Sequence, residues 1–420
     1  MREMKDSGIE WIGCIPKDWG INTIFQLCTQ VKNKNLGLQE KNLLSLSYGK
    51  IKRKNIDTVE GLLPESFDGY NIIDKDDIVL RLTDLQNDHT SLRVGISEER
   101  GIITSAYLTL RNRGDFVPKY LYYYLYSFDI SKGFYGMGAG VRQGLNWDGV
   151  KWLQVLAPLK DEQGRIATFL DIKCAKIDAV LEKTRASIDE YKKLKQAVIT
   201  QAVTKGIRGD RPMKDSGSIW FGNIPVDWDM KKIKYLFYIK KDIAGQEGYT
   251  VLSITQKGIV PKDLSKNEGQ LAENYSHYQL VNPGDYAMNH MDLLTGWVDI
   301  SKYTGVTSPD YRVFVLDDLE SNNRSFYLYL MQMCYSNRIF YGLGQGVSGM
   351  GRWRLQADKF LNFSIVVPSK DEQQEIADYL DAKCAEIDNL ISKKEQYISE
   401  IENYKKSLIY EYVTGKKEVD

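Results

Sequence analysis

The sequence of 420 residues is long enough for more than one domain, and 43% of its residues are apolar, which suffices for ordinary hydrophobic cores. Lys and Arg together number 56, as do Asp and Glu, so the net charge is zero and excludes a global positive field. No long apolar run, CxxC pair or metal-ligand spacing of histidines occurs. We therefore expect a soluble cytoplasmic protein with reduced cysteines, no metal site and no cofactor.

The chain opens with a segment that it later repeats. MKDSGIEWIGCIPKDW begins at Met4 and MKDSGSIWFGNIPVDW begins at Met213, and eleven of the sixteen positions are identical. Buried tryptophans contribute large apolar areas to a core, so we interpret this segment as structural and not as a ligand contact. The residues concerned are Trp11, Pro16, Trp19, Trp220, Pro225 and Trp228.

Each opening segment is followed by short β-type runs that alternate with turn residues. DIVLRL and YLTLR are examples in the first copy, and YTVLSI and YRVFVL in the second. The aromatic runs PKYLYYYLYSF and RSFYLYLMQM predict one short helix in each copy. FYGMGAGV at Phe134 and FYGLGQGV at Phe340 are matching glycine-rich turns. These patterns predict a mixed α+β domain that is present twice.

After Pro158 and Pro368 the sequence becomes poor in glycine, and apolar residues recur alternately every four and three positions. The predicted seam is Leu170, Cys174, Ile177, Leu181, Thr184, Ile188, Tyr191, Lys195, Val198 and Ala202 in the first copy, and Leu380, Cys384, Ile387, Ile391, Lys394, Ile398, Ile401, Lys405, Leu408 and Tyr412 in the second. This period predicts two long coiled-coil helices. Asp161 and Asp371 are the predicted N-caps.

Polar residues inside the seam indicate which partner each helix packs against. Both copies place a lysine at the same seam position, Lys195 and Lys405, and such residues specify register at a cost in stability. We predict that the two helices pack against each other within the chain, antiparallel and related by a pseudo-twofold axis. The alternatives are that each helix packs on its own domain or on another subunit.

Four motifs, each present twice and in the same order, resemble the specificity subunits of type I restriction-modification systems. They are the opening segment, the strand GIITSAY with its counterpart GVTSPDY, the glycine-rich turn, and the helix start DEQGRIATFLD with its counterpart DEQQEIADYLD. The resemblance covers essentially the whole chain. It implies a non-catalytic subunit in which each globular domain reads one half of a split double-stranded DNA target.

The resemblance also implies the roles of the helices and the partners. The paired helices would set the unread spacer and dock two methyltransferase subunits, through which restriction (motor) subunits join the complex. The expected fold class is α+β, with two similar α/β target-recognition domains separated by two long antiparallel coiled-coil helices in an internal repeat. We expect the first domain at residues 1–160, its helix at 161–206, a linker and second domain at 207–369, the second helix at 370–414 and a tail at 415–420.

Polar and basic segments of the two domains are the candidate DNA contacts. Lys and Arg bind phosphates, whereas Arg, Asn and Gln can pair with base edges. The basic segment YGKIKRKN is expected on a loop, and a polar loop and the glycine-rich turn follow it in the chain. The candidates are Lys50, Lys52, Arg53, Lys54, Arg81, Asn87, Arg93, Arg142, Gln143 and Asn146 in the first copy, and Lys257, Asn289, His290, Arg352 and Arg354 in the second.

Other functions are less well supported by the residues. The glycines Gly344, Gly346 and Gly349 fit a cofactor-binding GxGxxG pattern, but an aromatic helix precedes them where a strand is required. The chain contains no Pro-Pro pair of an adenine methyltransferase and no Walker loop. The main alternative is a two-domain scaffold that holds protein partners and binds no DNA.

Overall fold

The computed structural model describes residues 2–56, 66–88, 90–137, 144–263, 274–346 and 353–419. The chain divides into two compact units, one of Met1–Thr184 with Glu395–Asp420 and the other of Arg185–Lys394. This division falls inside both long helices. Each unit therefore combines one α/β domain with part of each helix, an arrangement that the domain limits expected from the sequence did not include.

The first unit contains twelve strands and three short helices among its described residues. The strands are Met4–Asp6 (β1), Cys14–Pro16 (β2), Gly20–Thr23 (β3), Cys28–Gln30 (β4), Leu43–Ser47 (β5), Lys50–Lys54 (β6), Asn71–Ile73 (β7), Ile78–Leu80 (β8), Val94–Ile96 (β9), Gly101–Ile103 (β10), Leu108–Asn112 (β11) and Gln154–Ala157 (β12). The helices are Ile24–Leu27 (α1), Pro118–Ile130 (α2) and Trp147–Val150 (α3), with a 3-10 helix at Gly133–Gly136. The first long helix is Lys160–Lys205 (α4).

The second unit repeats this succession of elements. Its strands are Met213–Asp215 (β13), Asn223–Pro225 (β14), Asp229–Lys232 (β15), Phe237–Lys240 (β16), Leu252–Thr255 (β17), Gly258–Pro261 (β18), Gln279–Val281 (β19), Tyr286–Met288 (β20), Val298–Ile300 (β21), Gly305–Thr307 (β22), Arg312–Leu316 (β23) and Ser364–Val367 (β24). The helices are Arg324–Ser336 (α5), Ile339–Leu343 (α6) and Ala357–Asn362 (α7), with a 3-10 helix at Ile233–Tyr235. The second long helix is Lys370–Val413 (α8).

The sheets of the two units have corresponding strand orders. The first unit has a sheet of order β4-β11-β8-β9, and the second has β16-β23-β20-β21. The sheet β6-β5-β10-β7 corresponds to the pairs β17-β18 and β19-β22, which the parallel bridge between Val251 and Val306 joins. Hairpins β1-β2 and β13-β14 and pairs β12-β3 and β15-β24 complete the units. The mixed α/β character predicted from the sequence is confirmed.

Strand β8 shows how the first domain is layered. Its three residues are all buried. Because alternate side chains of a strand point to opposite faces, both faces of β8 must be covered. Ile78 and Leu80 pack in the core that contains the aromatic side chains of α2. Val79 instead packs with Leu44 and Ile103 of the second sheet. The apolar run therefore marks a strand that is covered on both faces.

The repeated opening segment is anchored to the start of a long helix. Trp19 is buried and donates from its indole Nε1 to Glu162 of α4 at 3.0 Å, and Trp228 donates to Glu372 of α8 at 2.9 Å. Arg2 forms an ion pair with Glu162, as Arg211 does with Glu372. The burial of both tryptophans agrees with the structural interpretation of the segment.

The predicted N-caps are wrong by more than one position. Helices α4 and α8 begin at Lys160 and Lys370, so Asp161 and Asp371 lie in the first turn. The N-terminal turns are held by glutamines instead. The side-chain amide of Gln163 donates to the Pro158 carbonyl at 2.8 Å and its Oε1 accepts from the backbone N–H that precedes α2. Gln373 makes the same two kinds of bond at the start of α8.

Within the first unit, parts of α4 and α8 lie against each other. The rings of Phe169 and Tyr412 are 4.4 Å apart, and Lys405 Nζ lies 2.6 Å from a carboxylate oxygen of Asp178. The position on α4 rises from 169 to 178 while its partner on α8 falls from 412 to 405, so these segments run antiparallel.

Within the second unit, the other parts of the two helices are in contact. Lys195 Nζ lies 2.7 Å from Asp388, and Lys394 lies over the ring of Tyr191 at 5.6 Å. These segments also run antiparallel. Every predicted seam residue of both helices is buried or half-buried, and the seam lysines Lys195 and Lys405 each pair with an aspartate of the other helix. Among the described residues, no helix has the length and apolar content needed to cross a membrane.

Candidate nucleic-acid interface

The hairpin turn between β5 and β6 is the first segment of the candidate site in the first unit. Tyr48 at this turn is 82% exposed, and Gly49 has a φ of 74°. A Cβ at Gly49 would lie 3.1 Å from Leu92 Cβ, so glycine allows the turn to pack closely on the segment that precedes β9. The basic residues that follow are thus placed beside the polar loop.

The basic segment forms strand β6 and not the predicted loop. It pairs with the whole length of β5, from Ser47–Lys50 to Leu43–Lys54, and this hydrogen bonding makes it a strand despite its charge. Arg53 forms an ion pair with Glu99, and Lys50 lies 3.3 Å from Asp178. Lys52 and Lys54 are exposed and form no ion pair with any residue that the structure describes.

The polar loop after β8 is organised around Arg93. This side chain is fully buried, and its guanidinium donates to the backbone carbonyls of Arg81 and Thr83 at 3.0 and 2.9 Å. It also donates to the carbonyls of Asp84 and Asp88. The prediction that Arg93 contacts DNA is therefore wrong, because every guanidinium contact of this residue is internal.

The other candidates of this loop are more accessible. Arg81 is half-buried and lies 3.5 Å from the carboxylate of Asp88, whose pKa is held below its usual range mainly by the hydroxyl of Ser91. Asn87 is exposed and donates to Asp84 Oδ1 at 2.8 Å. Their contacts with DNA remain predictions.

The residues that follow the glycine-rich turn lie beside the polar loop. The backbone N–H of Leu145 donates to the Leu82 carbonyl at 2.9 Å. Asn146 is exposed and accepts from the Gly149 N–H at 3.1 Å, so it caps α3. Arg142 and Gln143 lie outside the described residues. The first unit thus brings the hairpin turn, the polar loop and the end of the glycine-rich turn together.

The second unit assembles the corresponding three segments. Lys257 is exposed on the turn between β17 and β18, and the neighbouring Gln256 donates to the Thr295 carbonyl at 3.3 Å. That carbonyl belongs to the loop after β20. The backbone N–H of Leu355, which follows the glycine-rich turn, donates to the His290 carbonyl of the same loop at 3.0 Å.

The loop after β20 holds Asn289 and His290, both half-buried. Asn289 Oδ1 accepts from the backbone N–H groups of Met291 and Asp292, so it shapes the loop, a role that the sequence did not predict. Burial lowers the pKa of His290 to about 4, with a smaller contribution from Arg312 and Arg354. His290 is therefore neutral at physiological pH.

Arg354 is exposed and pairs through its backbone with Gln345, across the glycine-rich turn. Arg352 lies outside the described residues. Beneath this turn Arg312 is buried and donates to the Leu355 carbonyl at 2.8 Å. Sequence reasoning missed Arg312, although an arginine at the start of the apolar run RVFVL was a usable signal.

Comparisons with known proteins give relatives of this chain by sequence. Residues 225–403 match the family model of the type I restriction modification DNA specificity domain. The type I restriction enzyme MjaVIII specificity subunit of Methanocaldococcus jannaschii is 23% identical, in an alignment that covers 96% of this chain and 93% of that relative.

Solved structures give a fold-level comparison. A chain from a study of complex assembly and conformational transition of the type I R-M system aligns with a TM-score of 0.68 and 13% identity, over 96% of this chain and 99% of that chain. The HsdS subunit from Thermoanaerobacter tengcongensis aligns over 96% of this chain and 98% of that chain with 13% identity, but its TM-score of 0.49 supports no argument. The resemblance stated from the motifs is confirmed: residues 225–403 match a type I restriction modification DNA specificity domain, and nearly the whole chain aligns with a type I restriction enzyme specificity subunit.

Proposed function

We propose that this chain gives a type I restriction-modification complex its DNA sequence specificity, with each α/β domain reading one half of a bipartite target. One observation carries this proposal. Each unit brings together a hairpin turn, the loop after its central strand and a glycine-rich turn, and these segments hold most of the polar candidates. Two such surfaces with different side chains suit two different half-targets.

Different segments suit contacts with phosphates and contacts with base edges. Lys52 and Lys54 on β6 suit phosphate contacts, which supply affinity that depends on salt. Arg81, Asn87 and Arg354 are placed on the loops and turns, where side chains can reach base edges. Because the whole chain has no net charge, other subunits would supply part of the attraction for DNA.

The long helices suit the role of a spacer between the two half-targets. They contain 46 and 44 residues, and in each unit the contacts between them are antiparallel. We propose that they form one continuous coiled coil whose length fixes the number of base pairs left unread. The buried seam and the two lysine–aspartate pairs support a single register.

The same helices are the proposed docking surface for two methyltransferase subunits, through which restriction subunits would join. Large apolar side chains are exposed on them outside the seam, and a helix surface on which such residues form one patch suits contact with a partner. They are Ile172, Val180, Leu194, Tyr379, Tyr397 and Tyr404.

Selection from a random pool of double-stranded DNA tests the proposal. The chain is assembled with its methyltransferase subunits, and bound DNA is recovered and sequenced. We expect a motif of two short conserved parts separated by a gap of constant length. A fully assembled complex that enriches no sequence would favour the alternative, a scaffold that binds proteins only, with which zero net charge and exposed apolar side chains also agree.

A further inference from the structure

We propose that Arg93 is the positioning residue that sets the sequence preference of the first domain, although it touches no DNA itself. This inference rests on the proposed function. The observation is that one buried guanidinium holds the whole polar loop of residues 81–88, which carries the candidates Arg81 and Asn87.

The hydrogen bonds of Arg93 use all of its side-chain donors. Nη1 donates to two carbonyls and Nη2 donates to two more, at distances of 2.5 to 3.3 Å. Nε donates to the hydroxyl of Tyr135 at 3.2 Å. A guanidinium has five N–H donors in a fixed plane, so four carbonyls and one hydroxyl leave none unused. This one rigid group therefore holds four backbone carbonyls of the loop in place.

Arg93 also connects the three segments of the candidate site. Tyr135 lies in the 3-10 helix at the start of the glycine-rich turn, and its hydroxyl donates to the Asp88 carbonyl at 3.1 Å. Leu92, the residue before Arg93, packs against the hairpin turn at Gly49. The backbone N–H of Arg93 donates to Asp129 of α2 at 2.7 Å, which anchors this centre to the domain core.

The second domain supports its loop with different chemistry. The backbone bond from Arg81 N–H to the Arg93 carbonyl corresponds to the bond from Asn289 N–H to the Trp297 carbonyl, so Trp297 takes the place of Arg93. The rings of Trp297 and Tyr335 are 6.2 Å apart, and the Tyr335 hydroxyl donates to the Asn289 carbonyl at 2.6 Å. Two domains with corresponding sheets thus differ in the residues beneath their loops, as expected if these residues set loop shape and sequence preference.

The test uses the full chain assembled with its methyltransferase subunits and carrying Arg93→Met, which keeps the volume of the side chain but removes its donors. After selection from random DNA, we expect discrimination at the first half-target to fall by about tenfold or more, the effect of losing a specific base contact. The second half-target, the gap and the affinity for non-specific DNA should stay unchanged. Arg100→Met, at an exposed arginine of the same domain, is the matched control and should change neither half.

The outcomes separate this inference from the function on which it rests. If the unaltered complex selects no bipartite motif, the proposed function fails. If it selects one and Arg93→Met selects the same first half, the positioning role is refuted. If Arg93→Met does not assemble, Arg93→Lys decides, because a lysine keeps the charge and can donate only three bonds. Partial loss of first-half discrimination by that variant supports the inference, and unaltered discrimination overturns it.

Discussion

At the scale of single residues, a buried glutamate at the start of each long helix accepts hydrogen bonds from both an arginine and a tryptophan. The Glu372 side chain is 1% exposed and accepts from both Arg211 and the Trp228 indole. Glu375, one turn further along α8, pairs with Arg208 at the surface and is 48% exposed. The two glutamates allow a buried and an exposed ion pair on one helix to be compared directly.

We predict that Glu372→Ala lowers the free energy of unfolding by about 2 kcal/mol or more, because it leaves a buried indole N–H without its acceptor and leaves Arg211 with only the exposed Asp227 as a partner. Glu375→Ala should lower it by less than about 1 kcal/mol, since an exposed pair is solvated when broken. Urea unfolding of both variants measures the difference. Equal effects would show that burial of the Glu372–Arg211 pair does not increase its contribution to stability.

Asp129 gives a prediction about pH. Burial raises the pKa of this carboxyl to about 6 from an ordinary value of 3.8, although the Arg93 backbone N–H, the Arg93 charge and Lys132 act in the opposite direction. Between these two values the folded protein keeps a proton that the unfolded chain has released. This residue therefore lowers stability as the pH rises through that window.

Asp129→Asn removes the ionisation, so we expect the variant to gain stability relative to the unaltered protein as the pH rises from about 4 to about 6. The relative gain should be on the order of 2 kcal/mol, since one pKa unit corresponds to about 1.4 kcal/mol. Urea unfolding at about pH 4 and at about pH 7 provides the measurement. Parallel pH profiles of the two proteins would contradict the assigned cause.

The sequence predicted the polar segments of the site but not the direction of each side chain. Arg53 and Arg93 both follow polar or basic neighbours, yet one is exposed on β6 and the other is fully buried. The difference arises from the loop carbonyls that converge on Arg93, and these are brought together only by the fold. The local pattern of charges contains no information about that convergence.

At the scale of elements, the basic segment of β6 was wrongly predicted to be a loop. Its role in DNA binding remains a proposal. Five residues with four positive charges read as a loop, but pairing with β5 makes them a strand. The pairing also places Lys52 and Lys54 on the face opposite Arg53, because successive side chains of a strand alternate.

Replacing Lys52 and Lys54 together with alanine should reduce the slope of log affinity against log salt by up to about two phosphate contacts. Arg53→Gln should change the slope less, since Glu99 already neutralises that guanidinium. Lys5→Ala with Lys41→Ala is the control, because both are exposed lysines of the same unit outside the site. An unaltered slope in the Lys52 and Lys54 variant would remove β6 from the DNA.

A 3.5-residue repeat over many turns is a strong local signal, and it predicted both long helices, which the structure has at Lys160–Lys205 and Lys370–Val413. Their proposed role as a spacer can be tested by inserting one heptad after Thr184 and another after Lys394. The insertions would lengthen a continuous pair by roughly 10 Å. We expect the gap in the selected DNA to grow by about three base pairs or specific binding to be lost. An unchanged gap with full affinity would refute the spacer role.

At the scale of the whole molecule, the repeated motifs predicted two similar domains, and the sheets of both units have corresponding strand orders. The sequence could not show that each unit also takes in part of both helices, because that depends on contacts between positions far apart in the chain. The backbone carbonyl of Trp11, for example, accepts from the Tyr410 hydroxyl of α8. The opening segment therefore contacts α8 as well as the rest of the first domain.

We propose that the two domains read their half-targets independently, and an exchange of one domain is the direct test. Residues 20–158 are replaced by the corresponding segment of a related specificity subunit, while the opening segment that contacts α8 is kept. The assembled complex is then subjected to selection from random DNA. We predict a new first half-motif with the second half-motif and the gap unchanged; alteration of both halves, or retention of the original first half, would contradict independent reading.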